Sequence, residues 1–185
     1  FIQLAETGTA KFTNGNVRNG YCNSSFQGGF ITLSKSMSEL TLDNIYFYDC
    51  KCNQPLSGGV VGVMSASYGV TQKVINVTSC TFNGCVSNGT EAAGCILVPN
   101  SGSYVVTISD CNFSECSANG GYSGGCITVA KSSDVTTVKI ERCTFSNNNK
   151  SGELSASAIF VSDKGVTIDN CTFEDNNSDS DALFV

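Results

Sequence analysis

The sequence predicts an all-β fold, a right-handed parallel β-helix (solenoid) of about six coils with three short strands in each coil. Three features of the chain carry this prediction. A short aromatic phrase recurs, pairs of small residues precede apolar residues, and β-branched residues alternate along short runs. All three recur at intervals of roughly 30 residues, which is typical of solenoid repeats, whereas the handedness follows only the precedent of other parallel β-helices.

In the recurring phrase, one phenylalanine lies between residues that are mostly cysteine or asparagine. Segment Cys80–Cys85 is a complete example, and Cys143–Asn148 is another. The central aromatic residues are Phe12 in a degenerate first copy, then Phe47, Phe82, Phe113, Phe145 and Phe173. Equivalent strands of stacked coils lie about 4.8 Å apart, so we expect these rings to form a continuous stack inside the rod.

Each copy contains three short apolar stretches, which we interpret as three strands. The first follows a small pair, as in Gly124–Ile127, the second alternates β-branched residues, as in Val166–Ile168, and the third is the aromatic phrase. Ile168 and Cys171 are an odd number of residues apart, so both point inward only if the chain bends at Asp169–Asn170. A β-sandwich is the alternative, but the Asn-Gly pairs fall in predicted corners and loops rather than in hairpin turns.

Composition limits the class of partner. Charged residues are 14% of the chain, the net charge is −6 and the only arginines are Arg18 and Arg142, so the sequence lacks the basic cluster that nucleic acid requires. Anionic membranes are disfavoured for the same reason, and no apolar run is long enough for membrane insertion. We interpret residues 1–185 as a single domain. Because the chain starts at Phe1 and stops at Val185 within a repeat, we expect it to be a fragment of a longer repeat protein.

Eleven cysteines without a single histidine favour an extracellular or cell-surface location. The chain also has seven N-x-S/T sequons, although a sequence this rich in Asn, Ser and Thr contains some by chance. The candidate glycosylation sites are Asn23, Asn76, Asn88, Asn149 and Asn176, while Asn112 and Asn170 adjoin inward-facing positions where a glycan has less room. The sequence therefore predicts a secreted glycoprotein.

Aligning the copies places most of the cysteines in three columns. Cys80, Cys111, Cys143 and Cys171 precede the phenylalanine, Cys50, Cys85 and Cys116 follow it, Cys95 and Cys126 follow the small pair, and Cys22 and Cys52 fall outside the register. We predict disulfides between stacked coils, because stacked Cα atoms have a suitable separation. The predicted pairs are Cys80 with Cys111, Cys143 with Cys171, and Cys95 with Cys126. Two alternatives stay open: free thiols that act as small apolar side chains, as Ile45 and Val60 do in the same columns, and metal binding.

Two of the repeated segments carry a family resemblance. Gly124–Ile127 is followed about 20 residues later by Phe145–Asn148, and Phe173–Asn176 repeats the second motif. These segments resemble the GGA[ILV] and FxxN motifs of polymorphic outer membrane proteins, a family whose repeats lie on a β-helix like that of the pectate lyases. Here Phe, Val or Cys replaces the alanine, and cysteine replaces the asparagine in three copies, so the chain resembles a cysteine-rich variant. The resemblance implies adhesion or a surface-exposed passenger rather than catalysis.

The likeness to pectate lyases makes a carbohydrate-active protein the alternative. Asp110, Glu141 and Asp169 are predicted to align at one corner, either as ligands for Ca²⁺ or as a solvated acidic edge offset by Lys139 and Arg142. No catalytic residues and no cofactor are predicted, because general-base residues and an arginine positioned beside these acids are lacking. The tyrosines considered for stacking on glycans are Tyr46, Tyr48, Tyr68, Tyr104 and Tyr122.

The sequence as a whole predicts an extracellular structural or adhesive protein, a component of a rod, surface coat or filament. Its expected partners are other copies or further coils of the same protein, or glycans and proteins of a cell surface. The alternative function is that of a polysaccharide lyase or hydrolase, or of a glycan-binding module.

Overall fold

The computed structural model describes residues 2–4, 8–23, 28–34, 37–63, 72–99, 102–130, 136–150, 155–162, 165–178 and 181–184. Over these residues the fold is all-β without a helix, and parallel sheets coil into a β-solenoid, which confirms the predicted fold class. None of these residues belongs to a helix long and apolar enough to cross a membrane.

The strands are short and follow one another in a repeating order. In chain order they are β1 (Ile2–Leu4), β2 (Gly8–Arg18), β3 (Tyr21–Cys22), β4 (Ile31–Leu33), β5 (Met37–Tyr48), β6 (Lys51–Cys52), β7 (Leu56–Gly58), β8 (Val61–Val63), β9 (Lys73–Thr78), β10 (Thr81–Asn83), β11 (Val86–Ser87), β12 (Glu91–Ala93), β13 (Ile96–Val98), β14 (Tyr104–Ser109), β15 (Asn112–Ser114), β16 (Ser117–Ala118), β17 (Tyr122–Gly124), β18 (Ile127–Val129), β19 (Thr136–Glu141), β20 (Thr144–Ser146), β21 (Asn149–Lys150), β22 (Ser155–Val161), β23 (Val166–Asp169), β24 (Thr172–Glu174), β25 (Asn177–Ser178) and β26 (Asp181–Phe184).

Three parallel sheets run along the solenoid. The small-pair sheet has ten strands (β1, β4, β7, β8, β12, β13, β17, β18, β22, β26), the aromatic sheet has ten (β2, β5, β9, β10, β14, β15, β19, β20, β23, β24), and the short sheet has six (β3, β6, β11, β16, β21, β25). Each pairing joins equivalent positions of successive copies, for example Phe82 with Phe113 and Ile96 with Ile127. Many inward positions therefore stack a like residue on a like residue.

The division of a coil into strands differs from the prediction. The alternating run and the aromatic phrase, predicted as strands of two faces, belong to one sheet and are joined through a corner, as β9 and β10 are. The third face consists of two-residue strands such as β11, which the sequence analysis treated as corner or loop. Two residues are too few to display an alternating pattern, so sequence periodicity does not reveal this face.

Two corners flank each phenylalanine, and both use the left-handed backbone region. The corner residues are Asn14, Asn44, Ser79, Asp110, Arg142 and Asn170 on one side, and Asn19, Asp49, Gly84, Glu115, Asn147 and Asp175 on the other, with φ between 50° and 63°. Asn, Asp and Gly tolerate this region better than other residues do, which explains their recurrence in the phrase. The predicted bend at Asp169–Asn170 is confirmed, because φ of Asn170 is 51°.

The phenylalanines fill the interior as the repeat predicts. Phe47, Phe82, Phe113 and Phe145 are fully buried. Ring centroids of successive members, continuing to Phe173, lie 4.7–5.0 Å apart with interplanar angles of 2–14°. The strand spacing of the sheet imposes this separation, since each ring projects from an equivalent position.

The first copy is aligned differently from the prediction. Phe12 pairs with Leu42, whereas Val17 pairs with Phe47 and occupies the phenylalanine column. Phe12 instead packs edge-on against Phe30, with ring centroids 5.9 Å apart. The position equivalent to Phe47 therefore lies five residues after Phe12 in this degenerate copy.

The solenoid has about four turns, fewer than the predicted six coils. Six copies contribute a strand to the short sheet, but the inward residues of the first and last copies are covered from one side only. Phe12 and Phe173 are accordingly half-buried, whereas the four phenylalanines from Phe47 to Phe145 are fully buried.

Candidate functional site

All eleven cysteines are free thiols, and ten of them are buried. The predicted disulfides between Cys80 and Cys111, Cys143 and Cys171, and Cys95 and Cys126 are therefore absent from this structure. The three predicted columns are present, and Cys22 and Cys52, which were expected to be out of register, stack on each other between β3 and β6. The structure agrees with the alternative in which cysteine serves as a small buried side chain.

Hydrogen bonding explains why the first column stays unbridged. The thiols of Cys80, Cys111 and Cys143 point to the carbonyl oxygen two residues earlier in the same chain segment, at 3.2, 3.1 and 3.3 Å. The thiols of Cys111 and Cys143 also lie 3.7 and 3.8 Å from the carbonyl oxygens of Val77 and Ile108 in the preceding coil. Parallel Cβ vectors of stacked residues favour this arrangement over the geometry of a disulfide.

The second and third columns meet inside the solenoid, and together they form a cluster of thiols that the sequence analysis did not predict. The Sγ atoms of Cys85, Cys95 and Cys116 all lie within 4.8 Å of one another, and each residue is fully buried. The Sγ atom of Cys95 is 3.3 Å from that of Cys116. Cys126 is not part of this 4.8 Å group, but it interacts electrostatically with Cys95 and Cys116, and we call the four residues the thiol quartet.

Electrostatics distinguish the members of the thiol quartet. Burial and hydrogen bonding with Cys116 raise the pKa of Cys95 well above its usual value. Burial also raises the pKa of Cys126, but hydrogen bonds from Cys116 and Cys95 outweigh burial and lower that pKa to about 6. A sulfur that receives hydrogen bonds is stabilised as a thiolate, which favours the deprotonated form of Cys126.

The acidic residues proposed as calcium ligands do not form one column. Glu141 and Asp169 pair with each other in register, but Ser109 rather than Asp110 shares their column. Asp110 lies one position later, at the corner, and stacks on Arg142. The aligned trio was thus wrong for Asp110, because the corner residue follows the last residue of the strand.

Basic side chains lie beside the acidic residues at this corner. The guanidinium of Arg142 donates to both carboxylate oxygens of Asp110 at 2.7 and 2.9 Å and lies 3.1 Å from Glu141, while Lys139 lies 2.8 Å from Glu141. Arg142 lowers the pKa of Asp110, and Lys139 followed by Arg142 lowers that of Glu141. The predicted offset of charge by Lys139 and Arg142 is confirmed.

The candidate glycosylation residues fall into two groups. Asn23, Asn88, Asn112, Asn149 and Asn170 are exposed, whereas Asn76 and Asn176 are half-buried. The Nδ2 atom of Asn176, to which a glycan would attach, donates to the carbonyl of Phe145 at 2.8 Å and points into the solenoid. Asn176 is therefore a poor acceptor in the folded chain, while Asn112 and Asn170 are more accessible than predicted.

Two buried lysines were missed in the sequence. Lys73 is fully buried, and its Nζ donates to the carbonyl oxygens of Ser34 and Met37 at 2.7 and 2.6 Å. Burial lowers the pKa of Lys73 to about 8. Lys150 is also buried and donates to the carbonyl of Gly120. Each lysine binds carbonyl groups of other coils, and no sequence motif distinguishes it from an exposed lysine.

A surface depression of about 440 Å³ lies at the corner between the aromatic and short sheets. Its lining residues are Asn19, Gly20, Tyr21, Asp49 and Lys51. Tyr21, absent from the tyrosines considered above, is 56% exposed. Tyr46, which does not line the depression, is 43% exposed, and its ring is nearly parallel to that of Tyr48, with centroids 6.4 Å apart.

The other tyrosines considered for glycan contact are placed differently. Tyr104 is fully buried in the core. Tyr68 lies outside the described residues, and Tyr122 is described only as part of strand β17. Surface aromatic residues are thus found on the second coil and at Tyr21, among the residues whose side chains are described.

The fold defines the chain as a β-solenoid repeat protein. No protein-family model, curated protein or solved structure matches it. The resemblance to polymorphic outer membrane proteins consequently remains a prediction that rests on the repeat motifs alone.

Proposed function

We propose that this chain is part of an extracellular structural or adhesive rod, in which stacked coils hold a polar surface away from the point of attachment. The observation that carries the proposal is the continuity of the inner columns up to both ends of the solenoid. The phenylalanine column runs without interruption from Phe47 to Phe173. A stiff rod is the mechanical consequence of such stacking, because each coil is fixed by hydrogen bonds to its neighbours.

The end strands support extension by further coils. In the aromatic sheet, β2 pairs only with β5, and β23 and β24 each pair with one neighbour. Their inward residues, including Val17, Val166 and Phe173, remain half-buried. Open parallel edges with partly exposed apolar columns favour the addition of another coil in the same register. Such coils would come from the same protein or from another copy.

The outward surface supports contact with polar partners. Asn53, Asn88 and Asn119 form a ladder on the outside of the short sheet, with amide–amide hydrogen bonds of 2.7 Å between successive coils. Repeating amides at the strand spacing offer donors and acceptors along the rod. This arrangement suits an adhesive or coat-forming surface better than a single ligand pocket does.

Surface location is tested on cells that make the protein. We expect an antibody against the folded chain to label intact cells, and an endoglycosidase to increase its mobility on a denaturing gel. Labelling that appears only after permeabilisation, with no change in mobility, would refute the extracellular part of the proposal. Electron microscopy of the full-length protein tests the rod shape. We expect elongated particles whose long axis follows the stack of coils.

Glycan binding is a second candidate because the exposed Tyr21 lines the depression. Tyrosine faces stack on sugar rings, and Asn19, Asp49 and Lys51 supply hydrogen-bonding groups. Screening the chain against immobilised oligosaccharides tests this function. We expect Tyr21→Ala to weaken any specific binding at least tenfold, whereas Leu56→Ala, which removes another exposed apolar residue, leaves binding unchanged. The absence of binding by the wild-type chain would exclude this candidate.

A further inference from the structure

We propose that the thiol quartet of Cys85, Cys95, Cys116 and Cys126 is an internal binding site for one thiophilic metal ion, Zn²⁺ or Cu⁺. This inference does not depend on the proposed function of the rod. The quartet lies in two successive coils. In each of them, the position after the phenylalanine and the position after the small pair are both cysteine. In the coil before them the equivalent pair is Cys50 and Val60, and in the coil after them it is Asn148 and Ala158.

The geometry brings the sulfurs close enough for one ion. The Sγ atoms of Cys85, Cys95 and Cys116 lie within 4.8 Å of one another, and the shortest separation, between Cys95 and Cys116, is 3.3 Å. With metal–sulfur bonds of about 2.3 Å, tetrahedral ligand sulfurs lie about 3.8 Å apart and trigonal ones about 4.0 Å apart. Because the separations of these three sulfurs differ from those values by no more than about 1 Å, small side-chain rotations bring the three sulfurs to the spacing that an ion requires.

The donor set selects the class of metal. All four side chains are thiols, and the quartet lies in the hydrophobic core with the phenylalanine stack. Thiolate donors select Zn²⁺, Cu⁺ and related soft ions, whereas Ca²⁺ and Mg²⁺ require oxygen. Zn²⁺ uses four sulfurs, and Cu⁺ is satisfied by three. Each cysteine that binds gives up its proton to solvent, so uptake releases protons and strengthens as the pH rises.

The column of Cys80, Cys111 and Cys143 serves as an internal comparison. Its thiols are also buried, but they follow one another along a single column of equivalent positions. Among the cysteines, histidines and acids whose positions are described, only Cys85, Cys95 and Cys116 form a group with metal-binding spacing. We infer that a metal site requires two adjacent columns of cysteine, because a single column places its thiols only one above another.

The buried position determines how the ion enters. The four residues are fully buried, so an ion reaches them before the coils close or through local opening. We therefore propose to refold the full chain without oxygen and with reductant, in the presence of Zn²⁺ or Cu⁺, and to remove unbound metal by gel filtration. We expect about one ion per chain, with X-ray absorption showing sulfur neighbours only, at about 2.3 Å.

The chain itself supplies conservative replacements for the variants. Cys95→Val copies Val60 and Cys126→Ala copies Ala158, so this double variant uses side chains that the same columns already hold. Cys80→Ile copies Ile45 and is the matched control in the other column. We expect the double variant to retain at least tenfold less metal than wild type, and Cys80→Ile to retain as much as wild type. Circular dichroism verifies that each variant folds. If the double variant does not fold, the single variant Cys126→Ala takes its place in the experiment.

Three results would overturn the proposal. One is a wild-type chain that retains neither ion after refolding in its presence. Another is an absorption spectrum with oxygen or nitrogen neighbours, which places the ion on the surface. The last is a folded Cys80→Ile variant that loses as much metal as the double variant. Retention of Zn²⁺ without Cu⁺, or the reverse, supports the site and identifies its ion.

Discussion

The side-chain oxygen of Asn148 accepts a hydrogen bond, 2.9 Å long, from the backbone nitrogen of Cys116, the residue at the same position in the preceding coil. The Nδ2 atom of Asn148 donates to the carbonyl of Phe113 at 3.0 Å. Cysteine at this position makes a weaker version of the second bond, since the thiol of Cys116 lies 3.6 Å from the carbonyl of Phe82. Asparagine and cysteine both suit this column because each can donate to the equivalent carbonyl of the preceding coil.

This relationship predicts a graded response to substitution. Asn148→Ala leaves a buried donor and a buried acceptor without partners, and we expect a loss of about 2–4 kcal/mol in the free energy of unfolding. Asn148→Cys restores the weaker bond and should lose about half as much. Urea denaturation measures the free energy of unfolding of both variants. Asn149→Ala, which truncates an exposed neighbour, is the control and should change stability by less than about 0.5 kcal/mol. Equal losses for Asn148→Ala and Asn148→Cys would contradict the shared role.

The small pairs allow close approach of neighbouring coils. A Cβ atom on Gly94 would lie 1.9 Å from the carbonyl oxygen of Gly125, and one on Gly59 would lie 2.0 Å from that of Gly94. We expect Gly94→Ala to destabilise the chain by at least about 3 kcal/mol, because backbone oxygen cannot move away as a side chain can. Gly121→Ala is the matched control, since its Cβ would have only one neighbour, at 3.8 Å. Thermal unfolding of the two variants should differ clearly, and similar midpoints would contradict the steric explanation.

The corners predict a stabilising substitution. Ser79 has φ of 52°, where most residues other than Gly, Asn and Asp are strained by about 1–2 kcal/mol. We expect Ser79→Gly to raise the free energy of unfolding by about 0.5–1 kcal/mol, the relief of strain exceeding the entropic cost of glycine. Ser146→Gly, within strand β20, should lower it by about the same amount. Urea denaturation measures the free energy of unfolding of the two variants. If Ser79→Gly lowers it as Ser146→Gly does, strain at Ser79 is not significant.

The sequence predicted those features that repeat with like residues. The stacked rings of Phe82 and Phe113 and the bend at Asn170 follow from residue type and spacing alone. The short sheet was missed because two residues carry no periodicity, and the first copy was misaligned because Val17 replaces the expected aromatic residue. In each failure, the register was set by pairing with the next coil rather than by local sequence.

The thiol quartet shows the same limit in the candidate site. Its columns were predictable, because Cys85 and Cys116 recur in one phrase and Cys95 and Cys126 in another. The contact between Cys95 and Cys116 was not predictable, since it joins different columns in different coils. That contact depends on how far two faces of the solenoid lie apart, which depends on the packing of the core and not on spacing along the chain.

Lys73 predicts a pH dependence of stability at alkaline pH. Burial lowers its pKa from 10.5 to about 8 in the folded chain. Between these values the unfolded state binds more protons than the folded state, so the free energy of unfolding should rise as the pH increases, by about 1–3 kcal/mol. Below about pH 8 both states are protonated and the contribution is constant. Urea denaturation from pH 7 to 10.5 measures this rise, which Lys73→Met and the non-titrating Lys73→Arg should both reduce. A full rise in Lys73→Arg would assign the effect to another group.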